Sequence, residues 1–302
     1  MMQNFNRLTQ VRSLMSLVSV ALLLASLFFM IERGYNWGLD FTGGVVADIL
    51  LDPNLEQTDI KAHLESDLGH EVQILSMQGD GKWQLRYGVQ DNDSIAALND
   101  SVALLSSEFQ ILNSSVIGPQ VGQDMIEQGS LAILLCFVLT MIYLSYRFEW
   151  RLALGSIIAL SYDILLVLGL FACLQLEFNL TVLAALLAVM GYSLNDSIII
   201  SDRIREVLRS QPNGDIDTLL DQSIASTISR TIVTSGTTLV TVSALWLLGG
   251  PALEGFAIAL CLGIASGTWS SISIGTVLPK MMGLQAQHYQ VVDDKDPIDA
   301  MP

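Results

Sequence analysis

The sequence predicts an α-helical membrane protein of six transmembrane helices, with one α+β exported domain between helices one and two. Three observations predict it. Apolar residues make up 51% of the 302 residues and the mean hydropathy is +0.51, beyond what an ordinary soluble domain carries. These residues gather into six runs, each close to the ~20 residues a helix needs to cross ~30 Å of hydrocarbon. Lysine and arginine flank the runs mainly on one side once the helices alternate across the bilayer.

The runs cover 13–31, 128–146, 152–174, 180–201, 231–250 and 252–278. A helix satisfies its own backbone hydrogen bonds in lipid, so each run reads as one span. The first, "SLMSLVSVALLLASLFFMI", follows a short basic segment, as a cleaved signal peptide would. It has no A-x-A cleavage site and five more spans follow, so it reads as a retained helix.

Charge sets the orientation. Ten of the 14 Lys and Arg lie outside 32–124, among them Arg7, Arg12, Arg147, Arg151, Arg203, Arg205, Arg209, Arg230 and Lys280. The positive-inside rule then puts both termini in the cytoplasm. Residues 1–31 form the cytoplasmic N-terminus and helix one, 32–124 the exported domain, 125–280 helices two to six, and 281–302 a cytoplasmic tail. The exported region holds 15 acidic residues against four basic ones, so it carries most of the net charge of −16. That balance excludes nucleic-acid binding. Cys136, Cys173 and Cys261 fall within spans and read as inert packing residues, so the exported domain folds without disulfides. His63, His70 and His288 are unclustered, and no metal site or cofactor is expected.

Within 32–124, "LDFTGGVVADIL" (39–50) reads as a strand and "NLEQTDIKAHLESDLG" as a helix, with Asn54 or Thr58 as its cap and Gly69 as its stop. "EVQILSM" and "KWQLRYGV" are strand-like runs joined by "QGDG", whose Asp-Gly suits a hairpin turn. "DSIAALNDSVALLSSEF" has helical periodicity and "QILNSSVIG" closes as a strand. The order β-α-β-β-α-β is that of a ferredoxin-like fold. Nothing in it looks catalytic. Gly38, Gly43 and Gly44 permit either a tight exit from span one or a hinge.

Charged residues inside the spans carry most of the functional information. Asp163 lies near the middle of span three, Asn195 and Asp196 near the cytoplasmic end of span four, and Arg230 opens span five. An ionised group at bilayer depth costs ~2.5–3.5 kcal/mol on insertion scales, so such groups face a protein interior or a wet path. Thr227, Thr231, Thr234, Thr238 and Thr241 form a hydroxyl stripe on span five, and Gly255, Ala259, Gly263, Ser266, Ser270 and Ser273 a small-residue stripe on span six. The hydroxyls either bond back to their own helix or hold waters reaching Asp196. Asp163 reads equally as a second ion-path carboxylate or as a hydrogen-bonded strut.

At these residues the chain resembles the SecF family of protein-export membrane subunits, within the resistance–nodulation–division superfamily of ion-driven transporters. The segments that carry the resemblance are "GLDFTGG", "GYSLNDSIIISDRIRE", "SRTIVTSGTTLVTVSALWLLGG" and "FAIALCLGIASGTWSSISI", in family order over nearly the whole chain. The resemblance implies an auxiliary export subunit that draws on the proton motive force, or on sodium in some members. It implies a SecD-like mate, the SecYEG channel and an unfolded secreted polypeptide as partners. By motif position its essential carboxylate falls on Asp196 and its essential arginine on Arg230. Where relatives carry His-Asp in span three, Tyr162-Asp163 stands here, which puts a titrating role for position 162 in doubt.

The two lines of reasoning combine in one expectation. Arg230 holds ionised Asp196, protonation weakens that attraction, and spans four and five shift, the motion reaching the exported domain through span one and Gly38, Gly43 and Gly44. Three other readings compete. An intramembrane aspartyl protease would pair Asp163 with Asp196, but Ser193-Leu194-Asn195 replaces the two glycines of that motif. Half of a small-molecule or lipid exporter of the same superfamily is the second, and a structural scaffold the third.

Overall fold

The computed structural model describes residues 2–53, 55–69, 72–77, 81–88, 95–106 and 109–289. The chain begins with helix α1 (Met2–Glu32), then strand β1 (Asn36–Trp37), the single helical turn α2 (Leu39–Thr42) and β2 (Gly44–Leu50). It continues through α3 (Gln57–Leu68), β3 (Val72–Ser76), β4 (Lys82–Tyr87), α4 (Ile95–Leu105) and β5 (Gln110–Ile117). The rest is α5 (Pro119–Arg147), α6 (Trp150–Leu174), β6 (Glu177–Phe178), α7 (Leu180–Ser210), α8 (Ile216–Leu248) and α9 (Pro251–Met281). Helices α1, α5, α6, α7, α8 and α9 are long and apolar enough to cross a membrane, so the chain is a multi-span membrane protein.

Local chemistry sets the helix starts. Proline occupies the first turn of α5 and α9, where its missing N–H costs nothing. The Asn179 side chain accepts from the Val182 amide at the start of α7, and Asp215 does the same for Thr218 at the start of α8. The Asp215 cap explains a departure from the sequence reading. Helix α8 starts at Ile216, well before the apolar run at 231, because Ile216, Leu219 and Leu220 pack against Ile204, Val207 and Leu208 of α7. The apolar run measures the lipid-exposed length only; the helix continues beyond it on an amphipathic face.

Helices α6, α7 and α9 form the centre of the bundle. Half of the α7 and α9 membrane windows is buried, against 11% for α1 and α5, which lie outside. The small-residue stripe of α9 makes the close approach possible. A Cβ on Gly263 would come within 2.1 Å of Val189, and one on Gly267 within 3.0 Å of Ser193.

Between α1 and α5 a four-stranded antiparallel sheet has the order β3-β4-β2-β5. Alternation along β2 buries Val45, Ala47 and Ile49 under Ile60 and Leu64 of α3 and Leu98 and Val102 of α4. Residues 39–50 are therefore not one strand. Residues 39–42 form α2, and the chain turns at Gly43 (φ 74°) and Gly44 (φ 156°), backbone states that L side chains rarely adopt. Gly69 closes α3 in the left-handed region (φ 71°), while Thr58 lies inside that helix rather than capping it. The Asn54 cap, the turn residues 78–80, His70 and the tail from 290 onward lie outside the described residues.

Candidate ion-coupling site

Two carboxylates sit at the centre of the helix bundle, and both are fully buried. Asp163 on α6 accepts hydrogen bonds from Ser193 of α7 at 2.5 Å and Ser270 of α9 at 2.9 Å. Asp196 on α7 accepts from Ser235 of α8 at 3.3 Å and Thr268 of α9 at 3.4 Å, and those two hydroxyls are 2.8 Å apart. Helix periodicity accounts for the convergence. Ser193 and Asp196 are three apart on α7, so they share a face and bring the two clusters side by side.

The two holds differ in strength. Thr268 also lies 3.0 Å from the Ile264 carbonyl, and a hydroxyl has one proton to give. Its bond to Asp196 therefore competes with a bond inside its own helix. Each carboxylate keeps one oxygen, Oδ1, without a hydrogen-bond partner among the described residues. A hydroxyl donates to an ionised carboxylate and accepts from a protonated one, so these cages serve both states. Asp163 and Asp196 share no hydrogen bond, which is not the arrangement of a protease dyad.

The other residues singled out in the sequence lie elsewhere. Arg230 is exposed and makes no direct ion pair or hydrogen bond with Asp196, which its guanidinium reaches only through space, by its charge. The reason is geometric. Arg230 precedes buried Thr231 by one position, ~100° around the helix, and lies five residues, ~7.5 Å, short of Ser235. Thr234 and Thr238 donate to carbonyls of α8 itself and do not reach Asp196. Asn195 is exposed on the outer side of α7.

Sequence reasoning missed Ser235 and Thr268. The buried line of α8 runs through Leu220, Ile224, Thr227, Thr231, Ser235 and Val242. Leu220, Thr231 and Val242 follow an 11-residue repeat, ~3.67 residues per turn, whereas the threonine stripe steps at 3.5. By residue 235 the two patterns have separated, and serine rather than threonine faces the carboxylate.

The end of α7 nearest the sheet is tied to the segment after α1. Strand β1 pairs in parallel with β6, and the Gly38 amide donates to the Phe178 carbonyl at 2.8 Å. A Cβ at Gly38 would lie 2.8 Å from the Glu177 carboxylate, so this glycine is packed tightly. Asp40 accepts from the Leu180 amide at 2.9 Å, adding a second cap to α7 beside Asn179. Phe41 stacks on Phe178, with Trp37 edge-on to both. Arg86 of β4 reaches Glu177 at 3.6 Å, joining the sheet to the same loop. Burial, with Asp40 nearby, pushes the Glu177 carboxyl above its usual range, and Arg86 opposes that shift.

Residues 97–285 match the family described as protein export membrane protein SecD/SecF, C-terminal. Protein translocase subunit SecF of Haemophilus influenzae is 40% identical over 298 residues, covering 97% of this chain and 91% of that one. The chain belongs to the SecF family. The SecF of Vibrio alginolyticus is 38% identical, covering 94% of this chain and 93% of its own. A crystal structure of a Thermus SecDF, described as a translocon-associated membrane protein, superposes with a TM-score of 0.78 at 32% identity. SecDF in a super-membrane-facing form gives a TM-score of 0.66 at 30% identity. This SecF-family chain spans 38% of the length of each of those SecDF chains.

A second polar cluster in this SecF-family chain joins the N-terminal helix to α8 and α9 at the end away from the sheet. Arg12 is 2% exposed and contacts Asp217 at 2.7 Å and Asp221 at 3.2 Å. Thr9 donates to Asp221 at 2.5 Å, and Lys280 pairs with Asp217 at 2.7 Å. In the sequence Arg12 and Lys280 read only as orientation signals.

Proposed function

We propose that this translocase subunit uses an ion gradient, that of protons, to promote late translocation of secreted polypeptides. One observation carries the reading: Asp196 is buried where α7, α8 and α9 meet, bonded only to hydroxyls, with one free carboxylate oxygen. A proton crossing the membrane releases ~2.3 kcal/mol per 100 mV. Asp196 takes that proton on Oδ1, while Ser235 and Thr268 go on donating to Oδ2 in either protonation state. When Asp196 is ionised, Arg230 swings from the exposed side of α8 toward it; protonation lets the guanidinium leave. Asp163, gripped by shorter bonds to α7 and α9, holds the two helices in register during the exchange.

The chain route to the secreted polypeptide differs from one through span one alone. Asp40 and the β1–β6 pair couple the start of α7 directly to α2, so motion of α7 reaches the sheet through the Gly43–Gly44 junction. Gly38 anchors that route and the left-handed pair gives it a turning point. The β-α-β-β-α-β sequence and the order β3-β4-β2-β5 support a ferredoxin-like domain, and the charge asymmetry supports its export. In that orientation both termini face the cytoplasm and the bundle lies in the inner membrane. The domain holds an emerging unfolded chain against backsliding, without covalent chemistry and without nucleic acid.

The ion path is completed by a SecD-like mate, beside the SecYEG channel. Support comes from the poorly buried faces of α1, α5 and α8 and from the larger SecDF chains that this one partly covers. The test is export by proteoliposomes holding the chain, its SecD-like mate and the channel, under proton or sodium gradients. Wild type gains export under the proton gradient and Asp196→Asn does not. Equal export by both would overturn the reading, and a gain under sodium alone would replace the ion.

A further inference from the structure

At the end of the bundle away from the sheet, α5, α7 and α8 line an open cavity of about 610 Å³, of which the coupling mechanism uses only Arg230. Five arginines line it. Arg147 pairs with Asp202 at 2.7 Å and Arg203 with Glu206 at 2.6 Å, which neutralises two. Arg205, Arg209 and Arg230 have no ion pair among the described residues, so the cavity keeps an excess of positive charge. We propose that this cavity binds the phosphate headgroup of an anionic phospholipid from the cytoplasmic leaflet.

The order of residues along α7 argues for a lipid. Ile198 and Ile199 line the membrane-ward part, and Asp202, Arg205 and Arg209 follow on the same face at four, three and four residues. Over those 11 positions, ~16 Å along the axis, the lining passes from apolar to cationic. A phospholipid makes the same transition from acyl chain to phosphate at the membrane surface. Guanidinium groups fork onto phosphate oxygens bidentately, and basic pockets between spans on the cytoplasmic side suit anionic headgroups. Arginines that served only to orient the chain would need charge near the span ends, on any surface. A concave site with an isoleucine wall goes beyond that need.

The site also touches the coupling reading. Arg230 lines the cavity, so a bound headgroup engages the side chain proposed to visit Asp196 and makes its release depend on lipid composition.

The test uses the full chain, alone and with its SecD-like mate, extracted from vesicles of phosphatidylcholine mixed with phosphatidylglycerol. Native mass spectrometry counts retained lipid. Wild type retains phosphatidylglycerol over phosphatidylcholine in both preparations. The Arg205→Gln/Arg209→Gln double variant loses roughly 30-fold in retention, as two arginines at a charged surface should. Lys280→Gln removes one charge from the same face outside the cavity and leaves retention unchanged. Four results would overturn the proposal: full retention in the double variant, an equal loss in Lys280→Gln, displacement by millimolar inorganic phosphate, or loss of retention when the mate is bound. The last would mean that an acidic protein surface, not lipid, occupies the cavity.

Discussion

The Asp40 carboxylate accepts a hydrogen bond from the Leu180 amide at 2.9 Å, so a residue beyond the first span closes the helix that carries Asp196. A carboxylate at a helix N-terminus satisfies an orphan amide and complements the positive end of the helix dipole. The contact ties α2 to the start of α7 at the face that bears the sheet.

Asp40→Ala should lower stability by about 1 kcal/mol, the usual worth of a helix cap, and should uncouple export from the gradient. Asp40→Asn keeps an acceptor oxygen and should restore most of both. Thermal unfolding in detergent and gradient-driven export in proteoliposomes measure the two effects. Normal export by the alanine variant would show that motion reaches the sheet by another path.

Ser235→Ala removes the donor that Asp196 shares with Thr268. It should insert and fold, cost about 1–3 kcal/mol for the carboxylate left short of a partner, and slow ion-stimulated export. Thr234→Ala and Thr238→Ala, whose hydroxyls bond within α8, should stay near wild type. A larger defect in the threonine variants than in Ser235→Ala would reverse the assignment of the α8 face.

Arg12→Gln leaves Asp217 and buried Asp221 without their cation, apart from Lys280 at Asp217. Losing one partner of a buried pair typically costs about 3–5 kcal/mol, so the variant should unfold at lower temperature in detergent. Adding Asp221→Asn removes the stranded charge and should recover part of the loss. If the double variant is no more stable than the single one, the cluster is not acting as an ion pair.

Glu177 gives the sheet-side junction a pH dependence. Its carboxyl titrates above the usual range because burial disfavours the charge, with Asp40 adding to that and Arg86 opposing it. The fold therefore binds the proton more tightly than the unfolded chain does. Its contribution is full below the unfolded carboxyl value and is lost as pH rises through the folded one. Amide exchange at Phe178 and Leu180 should slow as pH is lowered toward that range, after correction for intrinsic exchange. In Glu177→Gln the dependence should vanish. Its persistence there would assign it to another group.

Much of this was legible along the chain because lipid acts on each helix separately. Six apolar runs of membrane length announce six spans, and burial of Asp163 and Asp196 follows from the cost of a carboxylate in hydrocarbon. The alternation of Val45, Ala47 and Ile49 likewise declares a strand with one buried face.

Partners at the site were not legible, since they depend on how each helix is rotated about its axis. The sequence put Arg230 opposite Asp196 and left the threonines either bonding within their helix or holding water toward it; packing of α8 on α7 along an 11-residue repeat put Ser235 in contact with Asp196 and left Arg230 without a direct contact. Asp40 as the cap of α7 joins residues 140 positions apart, beyond the reach of any local pattern. Hydropathy and length are local properties and the sequence alone determined them. Rotational setting and long-range capping depend on the packing of the whole bundle, and only the tertiary structure decided them.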